Sequence, residues 1–376
     1  MTRAVGGFWA ALPFWMSLSF LPVVGVAAWF GGWTIALVPA FGFLTFSMLD
    51  ALSGLDPTNA DPDIPDDRLL WYRAITLIWL PIQLVLIFGT LIWIRVTDHL
   101  TGREALYLMM SVGVVTGAVG IVYAHELMHQ KNRLERWLGE SLMISVLYGH
   151  FVTEHLAVHH RHVATPQDAA SARYNESFYR FFVRVLPGSV ISAWRVERAR
   201  LHHKGLPVRA FANPFWRYWG GAALMVLAAY GILGWTGVGL YCAQAFVGVL
   251  QLEQINYIEH YGLERRYLGG GKYEPIAPRH SWNAAHKMTN FLLINLQRHS
   301  DHHYKPSRRY PLLQTYSETE APQLPLGYPL MVLLAYNPLL WRRVMNPRVR
   351  RWRSMYYPDI VDWSRKTPDD TAPVTA

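Results

Sequence analysis

Apolar residues in this chain fall in long unbroken runs, unlike the one-sided stripes of a water-soluble helix. The runs cover about 8–30, 33–49, 74–96, 105–124, 216–235 and 237–258. Gly31-Gly32 separates the first two, and GWTG separates the last two. Each reaches or approaches the roughly 20 residues that a helix needs to cross a bilayer. The pattern predicts an all-α, polytopic integral membrane protein with six transmembrane helices. The first run is longer and richer in Trp than the apolar part of a signal peptide, and a second follows at once. It therefore reads as a retained span.

Polar segments lie between the runs. Residues 50–70, DALSGLDPTNADPDIPDDRLL, form an acidic loop broken by proline. Residues 125–215 are a long insertion, expected to be helical around 134–160 and 176–203, and residues 259–365 form a helical cap. The whole of 1–365 reads as one membrane-embedded domain, and the final KTPDDTAPVTA, 366–376, as a disordered tail. Six spans put both termini on one side. The opposite loops, near 31–32, 97–104 and 236, hold Arg103, with Arg95 at a helix end, and no Lys. The positive-inside rule then makes the basic side, with both termini, the insertion and the cap, cytoplasmic. The expected location is the inner (cytoplasmic) membrane.

Composition narrows the function. Hydrophobic residues make up 52% of the chain and charged residues 16%, with a net charge of +9. Such an excess of positive charge suits nucleic acid, anionic lipid or an acidic protein. The apolar runs favour membrane lipid, and no nucleic-acid partner is expected. Cys242 is the one cysteine, which excludes a disulfide framework and any cysteine-held iron or iron–sulfur centre within this chain. Electrons for a redox reaction must come from another protein.

The candidate chemistry lies in histidine. Eight of the 16 histidines form three clusters: His125 and His129 in HELMH; His155, His159 and His160 in EHLAVHH; His299, His302 and His303 in RHSDHH. An i, i+4 spacing puts two imidazoles on one helix face, and neutral imidazole is a favoured ligand of iron, copper and zinc. Three such boxes supply more ligands than one zinc ion takes, so more than one metal ion is expected. HELMH alone resembles a zinc-protease motif, but that leaves six clustered histidines without a role. His260, at the end of the sixth run, is a ninth candidate. Glu126, Glu154, Asp168, Glu259 and Asp301 adjoin the boxes and are candidates for accepting the histidines' second N–H. His280 and His286 are expected to support the site, and His202 and His203 to be surface residues.

The residues around these boxes resemble a known family. GHFVTEHLAVHHRHVATPQDAASAR, NYIEHYGLERR and HSWNAAHKMTNFLLINLQRHSDHHYKPSRRYPLLQ are similar to its box regions. DALSGLDPTN and LPLGYPLMVLLAYNPLLWRRVMNPRV are also family-like. The family is that of the integral-membrane alkane hydroxylases, or alkane 1-monooxygenases. They are related to xylene monooxygenases and, more distantly, to membrane fatty-acid desaturases. The likeness spans roughly residues 45–350. It implies nine histidine ligands for two non-haem irons: His125, His129, His155, His159, His160, His260, His299, His302 and His303. Met128, Gln130, Leu156 and Val158 depart from the family's usual box residues, whereas every ligand position is kept.

The resemblance implies hydroxylation of the terminal carbon of medium- or long-chain n-alkanes to 1-alkanols. One atom of O2 enters the product and the other becomes water. A rubredoxin, or a ferredoxin with its reductase, would supply the electrons, and arginines of the insertion such as Arg133, Arg161, Arg180 and Arg195 would favour an acidic donor or, equally, anchor the insertion to anionic lipid. Alternatives are hydroxylation of methyl groups on aromatic hydrocarbons, fatty-acyl desaturation or hydroxylation, and a histidine-rich metal transporter. The last requires ligands at bilayer depth, and these lie at helix ends. Gly42, between Phe41 and Phe43 in the second run, is expected to line the substrate channel and set chain length.

Overall fold

A computed structural model describes residues 5–360 and Trp363. The expected tail, 366–376, lies outside the described residues. The chain is mostly helical. Five helices are long and apolar enough to cross a membrane: α1 (Phe8–Phe30), α2 (Gly32–Ser53), α3 (Asp66–Thr97), α4 (Gly102–Met128) and α8 (Phe215–His260). α8 corresponds to the fifth and sixth apolar runs. It is interrupted at Leu233 and Gly234, and Gly234 has φ +58°. A Cβ on Gly237 would lie 2.3 Å from the Ala229 carbonyl oxygen. Eight residues of continuous helix would separate those positions by about 12 Å, so the chain reverses here and α8 has two arms, 215–232 and 235–260.

Between the long helices lie α5 (Arg133–Ser145), α6 (151–162) and α7 (Phe178–His203). After α8 come a short hairpin of Tyr267–Gly269 with Lys272–Tyr273 and four further helices, α9 (Lys287–Leu292), α10 (His299–Tyr304), α11 (Tyr328–Ala335) and α12 (Pro338–Tyr356). The expected helix over 134–160 is thus two helices. Leu147, at φ +58°, turns the chain between them.

α4 is the central helix: most of its apolar stretch is buried, whereas only about a third of the corresponding stretch is buried in α1 and α2. The outer helices leave Trp9, Trp29, Trp33 and Met48 exposed, which suits surroundings of hydrocarbon rather than water. α4 meets the second arm of α8 through glycine. A Cβ on Gly113 would lie 2.6 Å from the Gln244 carbonyl oxygen, and one on Gly117 3.1 Å from Gly248 Cα. Only hydrogen at these positions lets the two backbones touch, as in other small-residue contacts between membrane helices. Side-chain amides then tie the pair: Gln251 Nε2 donates to the Gly113 carbonyl at 3.2 Å, and Thr116 Oγ1 to Gln244 Oε1 at 3.1 Å.

The polar segments brace one end of this bundle. Asp50, at the end of α2, accepts from the backbone N–H of Met288 and Thr289 at 2.7 and 3.0 Å, capping α9. Arg298 is 2% exposed and donates to the carbonyls of Thr58 and Leu313 at 3.0 and 2.8 Å. The loop after α2 and the segment after α10 are therefore joined through the residue next to His299.

Candidate metal centre

The ends of α4, α6, α8 and α10 converge, and each brings histidine. Two groups form. His125, His129, His155, His160 and His302 make one, and His159, His260, His299 and His303 make the other. Within each group the available ligand atoms lie within 4.8 Å of one another. All nine histidines singled out in the sequence are included, and no other histidine belongs to either group.

The spacing within the groups suits coordination. The Nε2 atoms of His129 and His155, of His155 and His160, and of His160 and His302 are 2.9, 2.9 and 3.0 Å apart. In the other group, His260 and His299 are separated by 3.2 Å and His299 and His303 by 3.0 Å. A metal–imidazole bond is about 2.0–2.1 Å, so two neighbouring ligands on one ion are roughly 3 Å apart. Burial, then repulsion from the neighbouring imidazoles, holds His155, His160, His299, His302 and His303 well below the ordinary histidine range. These rings stay neutral at physiological pH and keep the lone pair that a metal requires.

The division between groups follows from local backbone. Residues 155–159 form a wide π turn within α6. Such a turn inserts an extra residue into the helix and occurs often at functional sites. It aligns His155 with His160, five positions on, and leaves His159 to face the second group. His302 likewise joins the first group, while its helix neighbours His299 and His303 join the second. The two groups adjoin, with the His160 and His303 ring centroids 4.6 Å apart.

The candidate carboxylates fall in different places. Asp168 Oδ2 accepts from His159 Nδ1 at 2.9 Å and from Ser171 Oγ at 2.6 Å. Burial acts to raise the Asp168 carboxyl, but the His159 and Ser171 contacts outweigh it and hold the group below the usual carboxylate range. With Nδ1 committed as donor, His159 Nε2 is the free lone pair. It is buried, without a hydrogen-bond partner, and turned toward the group. Glu259 lies 3.2 Å from His299 Nε2 through Oε2, and its Oε1 accepts from Tyr328 OH at 2.8 Å. Glu126 accepts from Gln130, and Asp301 from Arg308, Tyr316 and the Gln314 backbone, so these two make their hydrogen bonds away from the histidines. Both Glu154 oxygens are buried without a hydrogen-bond partner, and burial pushes this carboxyl well up. His280 bonds Tyr357 at 2.9 Å, behind the site, and His202 and His203 are exposed.

An apolar cavity leads to the histidines. Gly42, Phe43 and Val114 line it, and so do His125, His155 and His299. It therefore touches both groups. A Cβ on Gly42 would meet the Phe20 ring at 3.4 Å, so any larger side chain there must project into the cavity or displace Phe20. Tyr328 also lines the wall and holds Glu259. Sequence reading gave Tyr328 no role, although it stands in a segment, LPLGYPL, noted as family-like. Its signal was a tyrosine between Gly327 and Pro329 in an otherwise apolar stretch.

Comparison with known proteins agrees with this geometry. The family model described as fatty acid desaturase matches residues 101–335. Alkane 1-monooxygenase 1 of Pseudomonas aeruginosa is 42% identical over 328 residues, covering 85% of this chain and 84% of that protein. Alkane 1-monooxygenase 2 of Alcanivorax borkumensis is 39% identical over 353 residues, covering 92% and 90%. The xylene/toluene monooxygenase hydroxylase component XylM of Pseudomonas putida is 27% identical over 254 residues, covering 66% and 65%. With its apolar helices, its two histidine groups and relatives this similar over nearly the whole chain, the protein belongs to the alkane 1-monooxygenase family of membrane oxygenases.

Proposed function

We propose that this protein is a di-iron monooxygenase that converts medium- or long-chain n-alkanes to 1-alkanols. The observation that carries the reading is the apolar cavity that touches histidines of both groups. An alkane offers no polar handle, so its position is set by the shape and dryness of the walls. Its end would meet the site at His125, His155 and His299. The nine histidines would hold two irons, five on one and four on the other. When bound, the irons would supply the two-electron reduction of O2 that puts one oxygen atom into a C–H bond and releases the other as water.

The protein's own residues have plainer tasks. Asp168 fixes the His159 tautomer, and Tyr328 holds Glu259 beside the His299 nitrogen that faces the group. Val114, Ile121, Leu252 and Leu293 keep the approach apolar. Gly42 sets how much chain fits. The chain has no cysteine set to carry electrons, so a rubredoxin, or a ferredoxin with its reductase, would deliver them to the face where the histidine-bearing helices end. The two arms of α8 count as two spans. That gives six in all, with the termini and metal centre on the cytoplasmic side of the inner membrane.

Product analysis tests the substrate. Iron-loaded protein in a bilayer, supplied with a donor and O2, is offered a mixed panel of n-alkanes and alkylbenzenes. Mass spectrometry should find 1-alkanols as the main products. Benzylic alcohols in excess would move the reading to aromatic methyl groups, and desaturated products would overturn hydroxylation.

A further inference from the structure

Away from the metal centre, a second cleft lies between α7 and the first turns of α8. Val190, Ile191, Trp194, Arg195 and Arg198 line it from α7, and Phe215 and Trp219 from α8. The five α7 positions recur at helical spacing, so they form one stripe. The stripe changes character along its length: two aliphatic residues, then Trp194, then two arginines. The Trp194 and Trp219 rings stack across the cleft, with centroids 5.5 Å apart and planes at 23°. Trp194 also meets Phe215 edge-on at 4.9 Å.

The two arginines differ from others on the same helix. Arg184 pairs with Glu176 at 2.8 Å and Arg200 with Glu197 at 2.6 Å. Arg195 and Arg198 are exposed, and among the described residues neither has an acidic partner. The surroundings are apolar: Val190, Ile191, Trp219 and, on the following loop, Phe211 are all exposed. α7 also lies against the membrane-crossing part of the molecule, since Phe182 touches Phe246, well inside the second arm of α8. Trp216 and Trp219 stand in the first turns of an apolar span, where tryptophan marks the boundary between hydrocarbon and headgroups.

We propose that this cleft binds one anionic phospholipid. Its phosphate would lie between Arg195 and Arg198, and an acyl chain would lie along Val190, Ile191 and the Trp194–Trp219 stack. An acidic protein would find the two charges but would bury exposed aromatic and aliphatic side chains that suit hydrocarbon. A free phosphate would leave the apolar half of the cleft unused. A phospholipid satisfies both halves, and a guanidinium pair suits a phosphate in two-pronged hydrogen bonding. The site would anchor α7, which carries Tyr148's hydrogen-bond neighbour Ser189, to the lipid annulus.

Native mass spectrometry of the detergent-purified full chain tests this, with phosphatidylglycerol and phosphatidylcholine as probes. The unmodified protein should retain one phosphatidylglycerol in preference to phosphatidylcholine. The double variant R195E/R198E should lose that retention by at least about tenfold, and inorganic phosphate should not displace the lipid. Trp219→Ala keeps both charges and should also weaken retention. Unchanged metal content in each variant checks that the fold is intact. Equal phosphatidylglycerol retention in the charge-reversed protein overturns the site. So does Trp219→Ala retaining lipid fully, which would reduce the cleft to a phosphate contact. Loss of affinity for the electron donor with lipid retention intact would assign the arginines to protein docking instead.

Discussion

The two histidine groups differ in how they are supported. In the four-histidine group every imidazole is buried, and Asp168 accepts from His159 Nδ1, the nitrogen turned away from the group, whereas Glu259 lies against the group-facing Nε2 of His299. In the five-histidine group His125, His129 and His160 are partly exposed, and among the described residues no carboxylate is within hydrogen-bonding distance of its ring nitrogens. One group has more ligands, and the other has fewer ligands with firmer orientation. Ligand number favours affinity, whereas burial and carboxylate support slow exchange and fix geometry. The four-histidine group would then be a kinetically closed metal position beside a more open one.

The largest effect should come from removing a ligand. His303→Ala should abolish hydroxylation and lower iron to about one ion per chain by elemental analysis, because the buried group cannot recruit a replacement from solvent. His129→Ala should also lose activity, but its metal should return at high iron concentration because water reaches that position. Equal and irreversible iron loss in both variants would end the distinction. Next comes the supporting carboxylate. Asp168→Asn should cost about 10–100-fold in metal affinity or turnover, whereas Glu126→Gln, which touches no histidine, should leave iron content unchanged. A chelator added to the loaded protein should then remove iron in two phases of similar amplitude, the faster from the five-histidine group. A single phase would indicate equal access.

The smallest expected change concerns the cavity rather than the metals. Gly42→Trp should leave iron content as it is and shift the preferred alkane to shorter chains. Competition assays on a ladder of alkanes read this directly, and each lost methylene contact is worth about 1–3 kcal/mol. An unchanged chain-length profile would mean that Phe20 yields to the indole and the cavity keeps its depth.

Much of this was legible in the sequence. Hydrocarbon demands long apolar runs, so the long apolar helices appear in composition at almost the positions observed. The break between the last two runs coincides with Leu233 and Gly234 because glycine tolerates the positive φ of a reversal. Eight of the nine histidines were visible because metal ligation favours one residue type at helical spacing; His260, alone at the end of its run, rested mainly on the family resemblance. The carboxylates were less legible. Asp168 and Asp301 both sit beside a box, but proximity in sequence does not give the direction of a side chain. Asp301 instead bonds Arg308 and Tyr316.

What sequence alone determined, then, is which residues are available: the apolar helices, the nine imidazoles and the glycines of α4. Tertiary structure decided how they are shared. A helix repeat of 3.6 residues predicts that His155 and His159 act together, and they are divided because a π turn shifts the register between them. His302 is parted from His299 and His303 because α10 lies between two groups supplied by other helices. Gly113 and Gly117 bring α4 onto α8, and the cavity lies where Gly42, on α2, faces Val114 and Gly117 on α4. Periodicity fixes which face a residue takes on its own helix, but only packing sets what that face meets.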